Sequence, residues 1–270
     1  MKRESGALTL KQKLARGDVV SGMQTFSAHP GMIEAMGTAG LDFTTVDMEH
    51  CPTGIVEVAH AIRAAETAGI TPFVRIPQMD ASMLGRVLDL GAKGVVIPHA
   101  SLDVCKAAVD AAKYGPTGNR GACPIVRAAG YSPKSWAEFA DNANTQTIVI
   151  PLLEDAAAVE ELEDMLALPG VDIMFVGPWD LSISLGIPAA NYDHPTMGSI
   201  LDRAVAAAKK NGKHIMTTVG ATIDTTYAAR LVGRGVSLLS FSADILVFLD
   251  ACRRIASVGK DIGKPSALSA

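Results

Sequence analysis

What this chain has little of narrows its function first. Its four cysteines, Cys51, Cys105, Cys123 and Cys252, are widely spaced and contain no CxxC pair. A disulfide framework or zinc–thiolate centre is therefore disfavoured, and free thiols in a reducing compartment fit better. No basic run is longer than a pair such as Lys209-Lys210, and the net charge is −4, so nucleic-acid binding has no electrostatic support. No apolar run reaches the roughly 18 residues of a membrane span. The charged start, Met1-Lys2-Arg3-Glu4-Ser5, is not followed by the apolar stretch of a secretion signal. The expectation is a cytoplasmic protein with no membrane or nucleic-acid partner. What is present is apolar substance: 49% of the 270 residues are hydrophobic and 19% charged, enough for one large core.

Short apolar runs alternate with helical patterns along the whole chain. Val19–Gln24, Phe43–His50, Pro72–Pro77, Gly94–His99, Ile148–Leu153, Ile173–Val176, His214–Val219 and Ser237–Phe241 read as strands. A short amphipathic helix, Leu8–Arg16, precedes them, and a last helix, Ile245–Ala256, follows. Helical patterns fill most of the gaps, while residues 114–145 form a long insertion with a helix near Ser135–Phe139. Residues 1–8 and 258–270 read as flexible or docked tails. Eight βα units predict one α/β domain over 1–270, a closed (β/α)8 barrel.

Such barrels place their chemistry at the carboxyl ends of the strands. That rim would carry Gln24, then Asp47, Glu49 and His50, then Arg75, His99, Glu154, Trp179 and Asp180, and finally Thr218, Ser240 and Ser242. Asp47 and Glu49 are two apart on one strand and so share a side. Glu154 and Asp180 make an all-oxygen pair suited to Mg²⁺ or Mn²⁺. Helix N-capping is the competing use of Asp180, whereas glutamate is a poorer cap. Arg75 ends an apolar strand and requires an anion or carbonyl, or an ion pair with Asp47 or Glu49. His50 is the better proton carrier and His99 the weaker candidate. No lysine lies at a strand's carboxyl end and only Lys134, in the insertion, could reach the mouth, so metal chemistry is favoured over imine chemistry.

Several segments together resemble the HpcH/HpaI aldolase family of phosphoenolpyruvate/pyruvate-type barrels: Val46-Asp47-Met48-Glu49-His50, Val74-Arg75-Ile76-Pro77, Leu88–Gly94, Gly118-Asn119-Arg120-Gly121 and Gly177-Pro178-Trp179-Asp180-Leu181-Ser182. The resemblance runs nearly the whole chain, with the motifs in order. It implies a divalent-metal aldolase that cleaves or forms 4-hydroxy-2-oxo acids, with pyruvate as the enolate component and an aldehyde as the other partner. It implies Glu154 and Asp180 as ligands to Mg²⁺, Mn²⁺ or Co²⁺. Arg75 would stabilise the enolate and be held by Asp47. His50 would act as acid and base, oriented by Asp89. The backbone around Gly177, Pro178, Trp179 and Asp180 would bind the pyruvate carboxylate, and Gln24 is a further candidate for substrate binding. It also implies a homohexamer, a trimer of dimers, that exchanges its C-terminal helices. Cys51, Leu152 and Trp179 depart from the family pattern and bear on the aldehyde rather than on the pyruvate end. Competing readings are an oxaloacetate decarboxylase, a citrate-lyase-like enzyme acting on a CoA ester, and a non-catalytic keto-acid binder.

Overall fold

The apolar runs become eight parallel strands that close on themselves: β1 (Val20–Thr25), β2 (Phe43–Asp47), β3 (Thr71–Arg75), β4 (Gly94–Ile97), β5 (Ile148–Leu153), β6 (Ile173–Val176), β7 (His214–Gly220) and β8 (Leu238–Ala243). This architecture comes from a computed structural model that describes residues 8–188 and 190–262. Closure pairs β8 with β1 through Val20↔Leu238 and Gly22↔Ser240. The expected (β/α)8 barrel is the fold. Strands β2 to β6 are buried along their whole length, the condition under which a strand reads as a continuous apolar run.

Inside the barrel, Val20, Phe43, Phe73, Val96, Ile148, Ile150, Leu152, Ile173, Phe175, Met216 and Leu238 pack as one cluster. The Phe43 and Phe73 rings lie 5.3 Å apart, centroid to centroid. Their bulk is accommodated by two glycines on neighbouring strands. A Cβ on Gly22 would meet Phe43 at 2.5 Å, and one on Gly94 would meet Phe73 at 2.8 Å. Helix α1 (Leu10–Ala15) plugs the amino-terminal end of this interior with Leu10 and Leu14. A Thr9–Gln12 capping box starts the helix at Leu10, inside the expected Leu8–Arg16, and it ends at Ala15.

The outer helices are α2 (Pro30–Thr38), α3 (Ile55–Ala68), α4 (Ala81–Asp89), α5 (Leu102–Ala112), α6 (Trp136–Gln146), α7 (Leu162–Ala167), α8 (Pro178–Ser184), α9 (Pro195–Lys210), α10 (Thr225–Arg234) and α11 (Asp244–Ile262). Side chains of Asp80, Ser101, Ser135 and Asp224 cap four of them. Within the expected insertion, α6 runs to Gln146, well beyond the predicted Phe139, and Tyr114 packs on Trp136 and Phe139. The last helix continues through residues 258–262, which the sequence reading placed in a tail. Residues 1–7 and 263–270 lie outside the described residues. No helix among the described residues is long and apolar enough to cross a membrane.

Candidate active site

The mouth is built around Asp47. This fully buried carboxylate accepts hydrogen bonds from Arg75 Nε at 2.7 Å, from the Glu49 backbone N–H at 3.0 Å and from the His50 backbone N–H at 3.2 Å. Taking two N–H groups two and three residues on turns the chain. Strand β2 therefore stops at Asp47, and Glu49 and His50 sit on the loop, not on the strand as the sequence suggested. Burial alone would raise the Asp47 pKa. The hydrogen bond and charge of Arg75, helped by the Glu49 N–H, hold it below the usual carboxylate value.

Arg75, at the end of β3, is buried and lies between two acids. Its Nη1 is 3.1 Å from Glu49 Oε2, while Nε is fixed on Asp47. The guanidinium is therefore aimed by a pair of carboxylates, as a planar donor requires. The Glu49 oxygen makes this ion pair without an aligned hydrogen bond. Burial raises the Glu49 pKa, with Arg75 opposing. Cys51 fills in beside Asp47, its Sγ 3.4 Å from Oδ2. Burial and the Asp47 charge push the thiol up to about 12, so it stays a protonated donor.

Across the mouth, Glu154 follows β5 and is 3% exposed. The His99 backbone N–H donates to its Oε1 at 2.7 Å. Burial pushes the carboxyl up to about 7, against the His99 contacts. Gly177 backs it closely: a Cβ there would stand 2.8 Å from Leu152 Cδ1 and 3.5 Å from Glu154 Cβ. Pro178 opens α8 directly after that glycine, which places Trp179 and Asp180 in the helix's first turn, exposed at the rim. The negative charge of Asp180 reaches Glu154 and adds to its elevation. Gln24 is half-buried near the end of β1, in register with Thr45 of β2 and Ala243 of β8.

Glu49, His99 and Glu154 each offer a ligand atom within 4.8 Å of the others. A nearly dry carboxylate with an elevated pKa, beside a second acid and an imidazole, is a donor set that a divalent cation fits. The structure thus brings together Asp47, Glu49, Arg75, His99 and Glu154, with Asp180 at the edge. His50 lies at the rim with its side chain 58% exposed and Nε2 3.6 Å from Glu49 Oε2. Asp89 is elsewhere. It ends α4 and pairs with Arg120 Nη2 at 2.8 Å, on a groove of the outer wall lined by Ile55, Ala59, His60 and Tyr131.

Two features escaped the sequence reading. Asp155 holds His99 Nδ1 at 3.0 Å; the only clue was an acid next to Glu154. Asp244 accepts the backbone N–H groups of Phe26 and Ser27 and the Ser27 hydroxyl, locking the loop after β1 to the start of α11. An acid just after the last strand was its one sequence signal.

Comparison with known proteins agrees with this geometry. The family model described as HpcH/HpaI aldolase/citrate lyase matches residues 21–251. A 2-dehydro-3,6-dideoxy-6-sulfogluconate aldolase of Pseudomonas putida is 33% identical over 241 residues, covering 87% of this chain and 93% of its own. A hydroxypyruvate/pyruvate aldolase of Paraburkholderia phytofirmans is 33% identical over 252 residues, covering 91% of this chain and 95% of its own. The crystal structure of an HpcH/HpaI aldolase from Desulfitobacterium hafniense superposes with a TM-score of 0.87 at 31% identity, covering 96% of this chain and 99% of that one. With the family model matching residues 21–251 and relatives of about one-third identity covering nearly its whole length, the chain belongs to the HpcH/HpaI aldolase/citrate lyase family.

Proposed function

We propose that this protein is a divalent-metal-dependent aldolase that makes or breaks a 4-hydroxy-2-oxo acid, with pyruvate and an aldehyde as the smaller partners. The observation that carries this reading is the guanidinium of Arg75, clamped by Asp47 and Glu49 across the mouth from the buried Glu154. Glu154 and Asp180 would hold the cation, which when bound supplies Lewis acidity toward the 2-oxo acid. Arg75 offers its remaining N–H groups to the oxygen on which enolate charge develops, already oriented when the substrate arrives. The first-turn N–H groups of α8, at Trp179 and Asp180, lack helical partners and face the substrate carboxylate. His50 at the rim takes the 4-hydroxyl proton, the C3–C4 bond breaks, and the electron pair passes to the pyruvate enolate as the aldehyde leaves. Protonation at C3 then gives pyruvate. The two aldolases above, acting on compounds whose names denote sugar-derived 2-oxo acids or pyruvate, support the substrate class.

The test needs no guess at the aldehyde. Chelator-stripped protein is incubated with pyruvate in D₂O with Mg²⁺, Mn²⁺ or Co²⁺ restored, and methyl proton exchange is followed by NMR. Metal-dependent exchange that Arg75→Ala removes is expected. Folded, metal-binding protein that leaves the methyl protons in place overturns pyruvate as donor. Oxaloacetate decarboxylation and CoA-ester cleavage would then be assayed.

The same reading makes the working unit a homo-oligomer, a hexamer built as a trimer of dimers in which α11 is exchanged. Support comes from that helix itself, where Ile245, Leu246, Phe248, Ile255 and Val258 are exposed, and from Asp89, which lines a partly apolar outer groove and pairs with Arg120 rather than with its own chain's His50.

A further inference from the structure

The pyruvate end of the proposed reaction uses the carboxyl ends of β3, β5 and β6, and His50 follows β2. That leaves β7, β8 and β1 as the open arc of the mouth, and there the strand ladder loses its register. Asp47 of β2 still pairs with Arg75 of β3 at the rim. On the open arc Gly22 pairs with Ser240 and Gln24 with Ala243, so Phe241 and Ser242 stand against Met23 alone. This is a bulge on β8, a device that recurs beside active sites and re-aims the chain. Ser242 occupies it at φ +50° and donates from Oγ to the Ala221 carbonyl at 2.9 Å. Strand β1 itself keeps its period. Gly22 turns inward, where a Cβ would strike the Phe43 ring, and Gln24, two residues on, is directed to the same side. Just past Gln24 the chain leaves the sheet through Phe26, Ser27 and Ala28, the last at φ +49°, a conformation that disfavours any residue but glycine. One carboxylate holds this loop. Asp244, 1% exposed, is the first residue of α11, and an acid there ordinarily serves its own helix. It takes the Ile245 N–H at 2.8 Å, but it also accepts the N–H groups of Phe26 at 2.9 Å and Ser27 at 3.2 Å, and the Ser27 hydroxyl. Ser27 Oγ carries the hold onward by accepting the His29 N–H at 3.1 Å. The Asp244 charge also contributes to raising the Cys51 thiol, so this carboxylate stands beside the mouth.

We propose that Asp244 is a positioning residue for the aldehyde: by fixing the loop after β1 it holds Gln24 against that partner, while the pyruvate end is built without it. This rests on the reading that pyruvate and an aldehyde are the two partners. The Gln24 amide both donates and accepts, which suits the carbonyl and hydroxyl oxygens of a short hydroxyaldehyde. The regular ladder secures the rim from β2 to β3, whereas on the open arc the bulge gives up that support and the Asp244 carboxylate replaces it.

The experiment separates the two halves of the reaction. Pyruvate methyl exchange in D₂O reports the donor end. Addition of pyruvate to glycolaldehyde, glyceraldehyde or propanal, with the metal restored, reports the whole, and the best of the three is carried forward. The variants are Asp244→Asn, which keeps the shape and loses one accepting oxygen, the milder Ser27→Ala, and Gln24→Ala alone and combined with D244N. In D244N kcat/KM for the aldehyde should fall by about 10²-fold, the cost of misplacing a partner by roughly an ångström, while pyruvate exchange stays within about threefold of wild type. Ser27→Ala should show a smaller loss of the same kind. Adding D244N to Gln24→Ala should cost little more, because residues that act as one are not additive. Exchange and addition that fall together in both D244N and S27A make Asp244 merely structural and overturn the proposal, with the pyruvate reading left standing. Addition unchanged in both variants overturns it too, as does full additivity with Gln24→Ala. Wild-type protein that shows no metal-dependent exchange, or that exchanges but adds to none of the three aldehydes, overturns the reading beneath and this proposal with it.

Discussion

Two residues at the mouth can each be tested alone. Arg75 is held through Nε by Asp47 and through Nη1 by Glu49, so its usefulness lies in a fixed planar direction as well as in its charge. Arg75→Lys keeps the charge and loses the fork. Pyruvate exchange should then fall by about 10²–10³-fold, the loss seen when one oriented oxyanion donor is removed; a rate within threefold of wild type would show that charge alone suffices. Gly177 acts by its smallness. A methyl group there must displace Leu152 Cδ1 at 2.8 Å and press on Glu154 at 3.5 Å. Gly177→Ala should lower stability by about 1–3 kcal/mol, the usual cost of overpacking, and should weaken Mn²⁺ binding as well. Thermal melts and calorimetry on the same preparation check both, and a variant with lowered Tm but unaltered Mn²⁺ affinity would separate Gly177 from the site.

At the scale of elements, the base of the barrel depends on how α6 ends. Lys113, 4% exposed, follows α5 and donates from Nζ to the carbonyls of Asn144 and Thr147, both at 2.7 Å. Those carbonyls belong to the end of α6, where helical partners run out. Lys113→Met keeps the stem and removes the donors. Leaving a buried carbonyl unpaired costs about 1–3 kcal/mol, so the variant should melt earlier. The pH dependence has a definite sign. Burial lowers the Lys113 pKa in the folded protein to about 8, from an ordinary 10.5. Between those values the unfolded chain binds more protons than the folded one, so this group's contribution to stability rises with pH. Wild type should therefore gain on Lys113→Met in denaturant titrations stepped from pH 8 to pH 10.5. A flat difference would mean that the two carbonyls hold the charged form and cancel the desolvation.

For the molecule as a whole, much was legible because the barrel imposes a period. Apolar runs at regular spacing gave eight strands, and the acids after Leu153 and Val176 marked the catalytic end. The illegible parts depended on contacts made across the chain. Nothing local reveals that Asp47 would turn the chain before Glu49, that Asp155 would hold His99, or that Asp89 would pair with Arg120 on the outer wall. The length of α11 was missed for a related reason. Among the described residues many of its apolar side chains stay exposed, so the pattern that signals a buried helix face fades into a tail. Ile245 is 51% exposed, Phe248 58%, Ile255 73% and Val258 55%. Burying a large apolar side chain is worth about 1.5–3 kcal/mol, and a contiguous exposed patch on a soluble surface marks an interaction site. A second copy of the chain would cover this face if α11 were exchanged. The double substitution Phe248→Glu and Ile255→Glu places two charges on that face without touching the barrel interior. Wild-type protein should sediment as a multiple of 28.1 kDa, and the variant at that mass itself, with its circular dichroism unchanged. A wild type that sediments at 28.1 kDa at micromolar concentration would leave the helix without the partner assigned to it, and the site complete within one chain.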